Sequence, residues 1–328
     1  MIGVFGDLVL DISVRTHGPL QPRSDVTGEI TCRGGGSAAN VAAWLASLGS
    51  QVRLAGAVGS DPLGSQLAAE LDSLGIELFL VEKPGPSGMI LLFVDEQGER
   101  TMVTSRGANL LFEPIDLSER FFTGLGHLHL TGYSFFGSEP LREAAAELLD
   151  RARRRGIPFS VDPASYALLA EFGRERFLRL TRGAAVLFPN LDEGRVLTGA
   201  REPEAVAREL LRFYPRVVLT LGAQGCLWAA EEGLGFVPAP AVEPVDTTGA
   251  GDAFAAGFLW AAEEGLGFVP APAVEPVDTT GAGDAFAAGF LHAFCRGEGL
   301  AASARMGSAT AGRCICVRGA RPAGDGTP

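Results

Sequence analysis

The chain has 328 residues, 47% of them hydrophobic, enough for one large domain with a sizeable core. Its formal net charge of −12 argues against nucleic acid or an anionic membrane as partner, since both would repel it. Five cysteines (Cys32, Cys226, Cys295, Cys314, Cys316) form no CxxC pair and have no histidine at metal-ligand spacing, so they read as reduced thiols of a cytoplasmic protein.

The chain opens on "MIGVFGDLVLDI", strand-like and without a basic leader, and no uncharged apolar run approaches a membrane span. "IGVFGDLVLDI" reads as one buried strand, with Asp7 and Asp11 four residues apart on one face at its end. Ser24–Gly36, "SDVTGEITCRGGG", reads as an antiparallel strand. "AANVAAWLASLG" is predicted to be a helix stopping at Gly49, followed by the strand "QVRLAGAVG". "DPLGSQLAAELDSLG" is a second helix, with Asp61 as N-cap and Gly75 as stop. Ser87–Asn109 reads as two antiparallel strands turning at "DEQG".

Strands and helices then alternate through "LGHLHLTGY", "EPLREAAAELLDRARRRG", "IPFSVDP", "AAVLFPN", "EPEAVARELLRF" and "RVVLTLG". This rhythm predicts a parallel sheet covered by helices, and ligands of such sheets bind at the C-terminal strand ends. The two antiparallel excursions, about residues 12–34 and 87–107, predict a small β-sheet flap over that site. Residues 1–320 form the domain, and the Gly/Pro-rich 321–328 are expected to fray.

One segment is doubled. "LWAAEEGLGFVPAPAVEPVDTTGAGDAFAAGF" spans Leu227–Phe258 and recurs unchanged at Leu259–Phe290. Structural repeats drift and need about three units to build a core, so a single perfect copy reads as a tandem duplication of recent or accidental origin.

The strongest chemical motif lies inside that repeat. Gly281, Ala282 and Gly283 (or Gly249, Ala250 and Gly251) let backbone N–H groups approach an anion, and the following helix points its positive end at the same place. Asp284 (or Asp252) in the first turn suits a base that takes a proton from an attacking hydroxyl; the plainer reading is a helix-capping acid serving the dipole. Gly34–Gly36 followed by Asn40 offers close backbone and an amide to a polyhydroxyl ligand. Asn190 and Glu193, three apart, could organise Mg²⁺ through water or could be a simple capping box. "LTLGAQG" is a strand running into a glycine turn near nucleotide phosphates. His127 and His129 share a strand face and read as a packed pair, with no partner at metal spacing.

The order of these pieces, "GGSAAN…G", "NLDE", "TLGAQG" and "DTTGAGD", resembles the ribokinase-like (PfkB) carbohydrate kinase family over nearly the whole chain. The resemblance implies a three-layer α/β/α fold with a central, mostly parallel sheet and a small β lid that often mediates homodimers. It implies transfer of the ATP γ-phosphoryl group to an alcohol, with Mg²⁺, the Asp of "GAGD" as base and the Gly-Ala-Gly amides as anion hole. Asp11, Gly35, Gly36, Asn40 and Asn109 would hold the substrate; Asn190, Thr220, Gly222 and Gly225 would lie along the nucleotide; Glu193 would hold Mg²⁺ through water. Some members carry K⁺ beside the Asp-Thr-Thr segment, which would place it at Asp278 and Thr280 (or Asp246 and Thr248).

Departures concern the substrate. Ser37 stands where ribokinase proper has a lysine, "VDPASY" lacks the arginine of many fructokinase-type members, and few basic residues beyond Arg33, Arg100 and Arg106 stand ready for a second phosphate. An unphosphorylated sugar or sugar acid is therefore expected, with a nucleoside kinase or a non-catalytic sugar- or nucleotide-binding protein as alternatives. The second motif copy is preferred as the site, because it keeps the helix "DAFAAGFLHAFCRG" in its own context and lets the surplus bulge from a turn near "AAEEGLG".

Overall fold

The computed structural model describes residues 1–20, 22–94, 100–240, 281–317 and 319–322. The elements begin with β1 (Ile2–Phe5), β2 (Val9–Thr16), β3 (Gly28–Gly35), α1 (Ser37–Ser47), β4 (Val52–Gly59), α2 (Pro62–Ser73), β5 (Glu77–Lys83), β6 (Gly88–Val94) and β7 (Arg100–Ser105). Next come α3 (Glu119–Phe122), β8 (His127–Thr131), α4 (Glu139–Arg154), β9 (Phe159–Asp162), α5 (Tyr166–Phe172), α6 (Arg174–Leu180) and β10 (Val186–Leu187). The chain continues through α7 (Leu191–Thr198), α8 (Pro203–Leu210), β11 (Arg216–Thr220), β12 (Gly225–Ala230), β13 (Gly233–Pro238), α9 (Ala282–Phe294) and α10 (Leu300–Cys314).

The large sheet has the order β13-β12-β11-β10-β9-β8-β1-β4-β5, parallel except for the edge hairpin β12–β13. Its strands are apolar on both faces, as a sheet sandwiched by helices requires. Val4, Leu54, Val186 and Val218 pack under α1, α2, α9 and α10, while Phe5, Ala55, Leu187 and Leu219 pack under α3–α8. The period-two alternation thus makes two cores, one on each side. Trp44 of α1 is fully buried in the first of them; its truncation to Ala would cost about 3–5 kcal/mol.

The second sheet has the order β3-β2-β6-β7 and forms the expected lid, beginning earlier than predicted at Val9; the "DEQG" turn lies outside the described residues. The opening segment is not one strand. Gly6 has φ +150° and a Cβ there would lie 2.9 Å from Ala38 Cβ, so the chain bends between the sheets and Asp7 sits in the link. β1 therefore belongs to the large sheet and β2 to the lid.

Two further expectations change. Ala320 and Arg321 are buried, and Trp44 Nε1 donates to the Ala320 carbonyl at 2.9 Å, so the chain is docked through Arg321 instead of fraying there. The duplicated segment does not bulge from "AAEEGLG" in the first copy, because Ala230 pairs directly with Gly233 across a two-residue turn. The hairpin uses the first copy and α9 the second, and residues 241–280 between them lie outside the described residues. With identical copies, entering by one and leaving by the other keeps the hairpin's register and α9's neighbours together.

Candidate active site

A cavity of 780 Å³ lies between the lid and the C-terminal ends of β8, β9 and β11, beside the point where strand order departs in both directions from β1. Asp284 stands on its wall in the first turn of α9. Ser37 Oγ donates to Asp284 Oδ1 at 2.5 Å, and Asn40 Nδ2 donates to Oδ2 at 2.9 Å. Burial pushes this carboxyl up to about 6, against the opposing pull of Ser37, Asn40 and the Arg321 charge. Gly281 and Gly283 line the cavity beside it, whereas Ala282 does not. Gly281 is left-handed at φ +76°, and a Cβ there would lie 2.4 Å from the Ala320 side chain.

Two more carboxylates face the same space. Asp162, at the end of β9, is held well above the usual carboxylate range by burial and then by the charges of Glu193 and Asp284. Glu193 is pushed up to about 7 by burial, opposed by Asn190. The capping-box reading is correct: Asn190 Oδ1 accepts from Glu193 N at 2.9 Å, and Glu193 accepts from Asn190 N at 2.9 Å and from Nδ2 at 2.8 Å. Both residues also line the cavity, so the capping box leaves them exposed to that space.

Of the residues expected to hold a substrate, Asp11, Gly36 and Asn40 reach the cavity. Gly35 stands behind Asp11: a Cβ there would fall 2.0 Å from Asp11 Oδ2, so the carboxylate occupies the space a side chain would take. Asn109 does not line the cavity. Its amide accepts from Leu8 N at 3.0 Å and donates to Leu8 O at 2.8 Å and Arg106 O at 2.9 Å, which ties the end of the lid to the link after β1. Arg106 in turn grips Asp7 with two bonds of 2.6 and 2.8 Å. Thr220 lines the cavity, while Gly222 and Gly225 shape the turn behind it.

Asp246, Thr248, Gly249, Ala250, Gly251, Asp252, Asp278 and Thr280 lie outside the described residues. His127 and His129 share Ser160 Oγ at 2.9 Å each and are pushed down to about 4 and about 3 by burial, neutral core residues. Among the described residues no group of three His, Cys, Asp or Glu side chains is arranged to hold a metal unaided, and no helix is long and apolar enough to cross a membrane.

The sequence profile of the pfkB family carbohydrate kinases matches residues 1–268 and, restarting inside the repeat, 259–325. The chain belongs to this family. As a PfkB kinase it is a phosphotransferase with an alcohol acceptor, and membership implies ATP as donor. It is 34% identical over 226 residues to an ATP-dependent ribose-1-phosphate kinase of Halopiger xanaduensis, covering 68% of this chain and 71% of the relative. It is 33% identical to fructokinase-1 of Oryza sativa subsp. japonica, covering 67% of this chain and 71% of the relative. The adenosine kinase structure from Sinorhizobium meliloti aligns with a TM-score of 0.80 at 24% identity, over 98% of this chain and 95% of that one. The ribokinase structure from Thermotoga maritima gives 0.75 at 23%, over 97% and 94%. These structures show the ribokinase-like three-layer fold.

Sequence reasoning left out residues that stand at the cavity or beside it. Tyr133 follows β8 onto the cavity wall, its hydroxyl pushed up to about 12 by burial and then by Asp284, Asp162 and Glu193, and so stays a neutral donor. Ser37, noted only for not being lysine, is a ligand of Asp284. Arg321 reaches Asn40 from the C-terminal segment, with no local signal in "GARP" to announce it.

Proposed function

We propose that this kinase transfers the γ-phosphoryl group of ATP to a hydroxyl of a small unphosphorylated sugar or sugar acid, with Asp284 as general base. The observation that carries the proposal is the Asp284 carboxylate, clamped by Ser37 and Asn40 at the start of α9 and facing a cavity that Asp11 enters from the lid. Asp11 and Asn40 supply acceptor and amide groups that suit sugar hydroxyls. Asp284 would take the acceptor proton as the new O–P bond forms and the bond to the ADP oxygen breaks. Backbone N–H groups at Gly281–Gly283 would meet the charge developing on the transferred group. The lid would exclude water, which otherwise competes as acceptor.

The donor set fits Mg²⁺. Asp162 and Glu193 are hard oxygen groups whose ionised forms are disfavoured without a counter-charge. Because both Glu193 oxygens are engaged by Asn190, the metal would be held through its water shell, with nucleotide phosphates completing it. Mg²⁺ would supply charge neutralisation of those phosphates. K⁺ beside Asp278 and Thr280 belongs to the same proposal and is checked by comparing turnover in K⁺ and Na⁺.

A nucleoside is the second acceptor class, favoured by the apolar strip of Ile90, Leu92 and Met102 on the lid's inner face. The outer face carries Ile12, Val14, Ile30, Leu91, Phe93 and Val103 in register, with Ile30 66% and Val103 58% exposed. This supports a homodimer through the lid. The proposal is tested with ATP, Mg²⁺ and a panel of sugars, sugar acids and nucleosides. A ligand-induced thermal shift without phosphoryl transfer would contradict it.

A further inference from the structure

Arg321 comes from the last described turn of the chain and is 7% exposed. Its guanidinium donates through Nε to Asn40 Oδ1 at 3.3 Å, through Nη2 to the Gly35 carbonyl at 2.8 Å, and through Nη1 to Glu70 Oε1 at 2.6 Å. The surroundings are shaped around it. A Cβ at Gly34 would fall 2.1 Å from Arg321 Nη1 and 2.5 Å from Glu70 Oε2, so the first glycine of "GGGS" leaves room for this ion pair. Trp44 anchors the preceding carbonyl, and Ala320 fills the space beside Gly281.

The consequence runs through Asn40. An amide can be turned over, exchanging its oxygen and its NH₂. In the observed setting the oxygen faces the guanidinium and the NH₂ faces the Asp284 carboxylate. The reverse setting would put NH₂ against guanidinium and oxygen against carboxylate, two repulsive pairs. Arg321 therefore fixes which end of Asn40 meets the base, while its bond to Gly35 O holds the glycine turn behind Asp11.

We infer that Arg321 is a positioning residue for phosphoryl transfer, acting through the Asn40 amide on the orientation of Asp284. The inference rests on the reading of Asp284 as the base.

The test compares wild type, Arg321→Gln, Arg321→Lys, Asn40→Ala and the double variant Asn40→Ala/Arg321→Gln on the best acceptor of the panel, with thermal midpoints measured alongside. Arg321→Gln is expected to lose about tenfold in kcat, the size of one hydrogen bond to a charged group, with the KM for ATP within about twofold. Arg321→Lys keeps a charge opposite Glu70 but lacks the planar fork, and is expected to lose a similar factor while melting close to wild type. At pH 8, where Asp284 is ionised with or without the pull of the Arg321 charge, Arg321→Gln in the Asn40→Ala background is expected to add less than about twofold, since the route through the amide is already cut. Wild-type kcat in Arg321→Lys would overturn the inference, as would a full tenfold loss persisting without Asn40. If Arg321→Gln does not fold, Arg321→Lys and its pairing with Asn40→Ala decide the matter alone. Wild-type protein inactive on every acceptor would instead overturn the kinase reading, and this inference with it.

Discussion

Replacing Asp284 by asparagine removes the proton acceptor while keeping the shape, and should move activity and stability in opposite directions. A positioned general base contributes about 10²–10⁴-fold, equivalent to roughly 3–5 kcal/mol of barrier, so kcat should fall by that factor. Stability follows from the raised carboxyl. Its pKa in the fold is about 6 against an ordinary 3.8, so the fold favours the protonated form. The stability this group allows is complete below 3.8 and lost as pH rises through about 6. Above that range the difference amounts to at most about 3 kcal/mol, less whatever water in the cavity screens. The substituted amide carries no charge, so Asp284→Asn should raise Tm by on the order of 2 °C at pH 8 and leave it nearly unchanged at pH 4. Coupled ADP release and thermal melts at the two pH values measure both effects. A variant that keeps more than about a tenth of wild-type turnover would refute Asp284 as the base, whereas loss on Asp252→Asn instead would move the chemistry to the first motif copy.

Other outcomes follow from the same geometry. For wild type, kcat/KM should decline as pH falls through about 6 to 7, because Asp284 and Glu193 must be ionised; Asp162 feels the charge of both, so the limb belongs to the three carboxylates jointly, and a flat profile down to pH 5 would contradict it. Excising either copy of the 32-residue repeat gives one and the same 296-residue chain (328 − 32), which should keep turnover within about twofold and melt no lower. Gly35→Ala should raise the acceptor KM by about tenfold or more and leave the ATP KM within about twofold, since the atoms its Cβ would meet first belong to the Asp11 carboxylate; equal loss for both substrates would count against this. Ile30→Asp with Val103→Asp should convert a lid-mediated dimer to a monomer in sedimentation, and an unchanged mass would exclude that interface.

Much of this was legible in the sequence because it is carried by short-range patterns. Alternating apolar strands announce a sheet buried on both faces, and Asp61, with its Gly64 N–H bond, begins α2 as read. Asn190 and Glu193 illustrate how far such patterns reach: three-residue spacing reveals the cap, but only the fold shows that β10 and β11 deliver it to a cavity. What was not legible depends on long-range closure. At the split, Ala38, over thirty residues away, leaves room for no side chain at Gly6, and the burial of Arg321 depends on α1, α2 and the glycine turn converging on it. Likewise the family resemblance assigns Asn109 to the substrate, while its amide bonds here serve the link at Leu8 and the Arg106 carbonyl. The repeat resisted local reasoning for the opposite reason, since identical copies carry identical local signals and only their neighbours differ.

The most direct measurement is product analysis of the wild-type chain with ATP, Mg²⁺ and each acceptor of the panel, following ADP and the phosphorylated acceptor together by ³¹P NMR. The geometry around Asp284 predicts one ADP for each phosphomonoester formed on a sugar or sugar-acid hydroxyl, with no excess inorganic phosphate. ATP consumption that no acceptor stimulates, or phosphate released only to water, would contradict it.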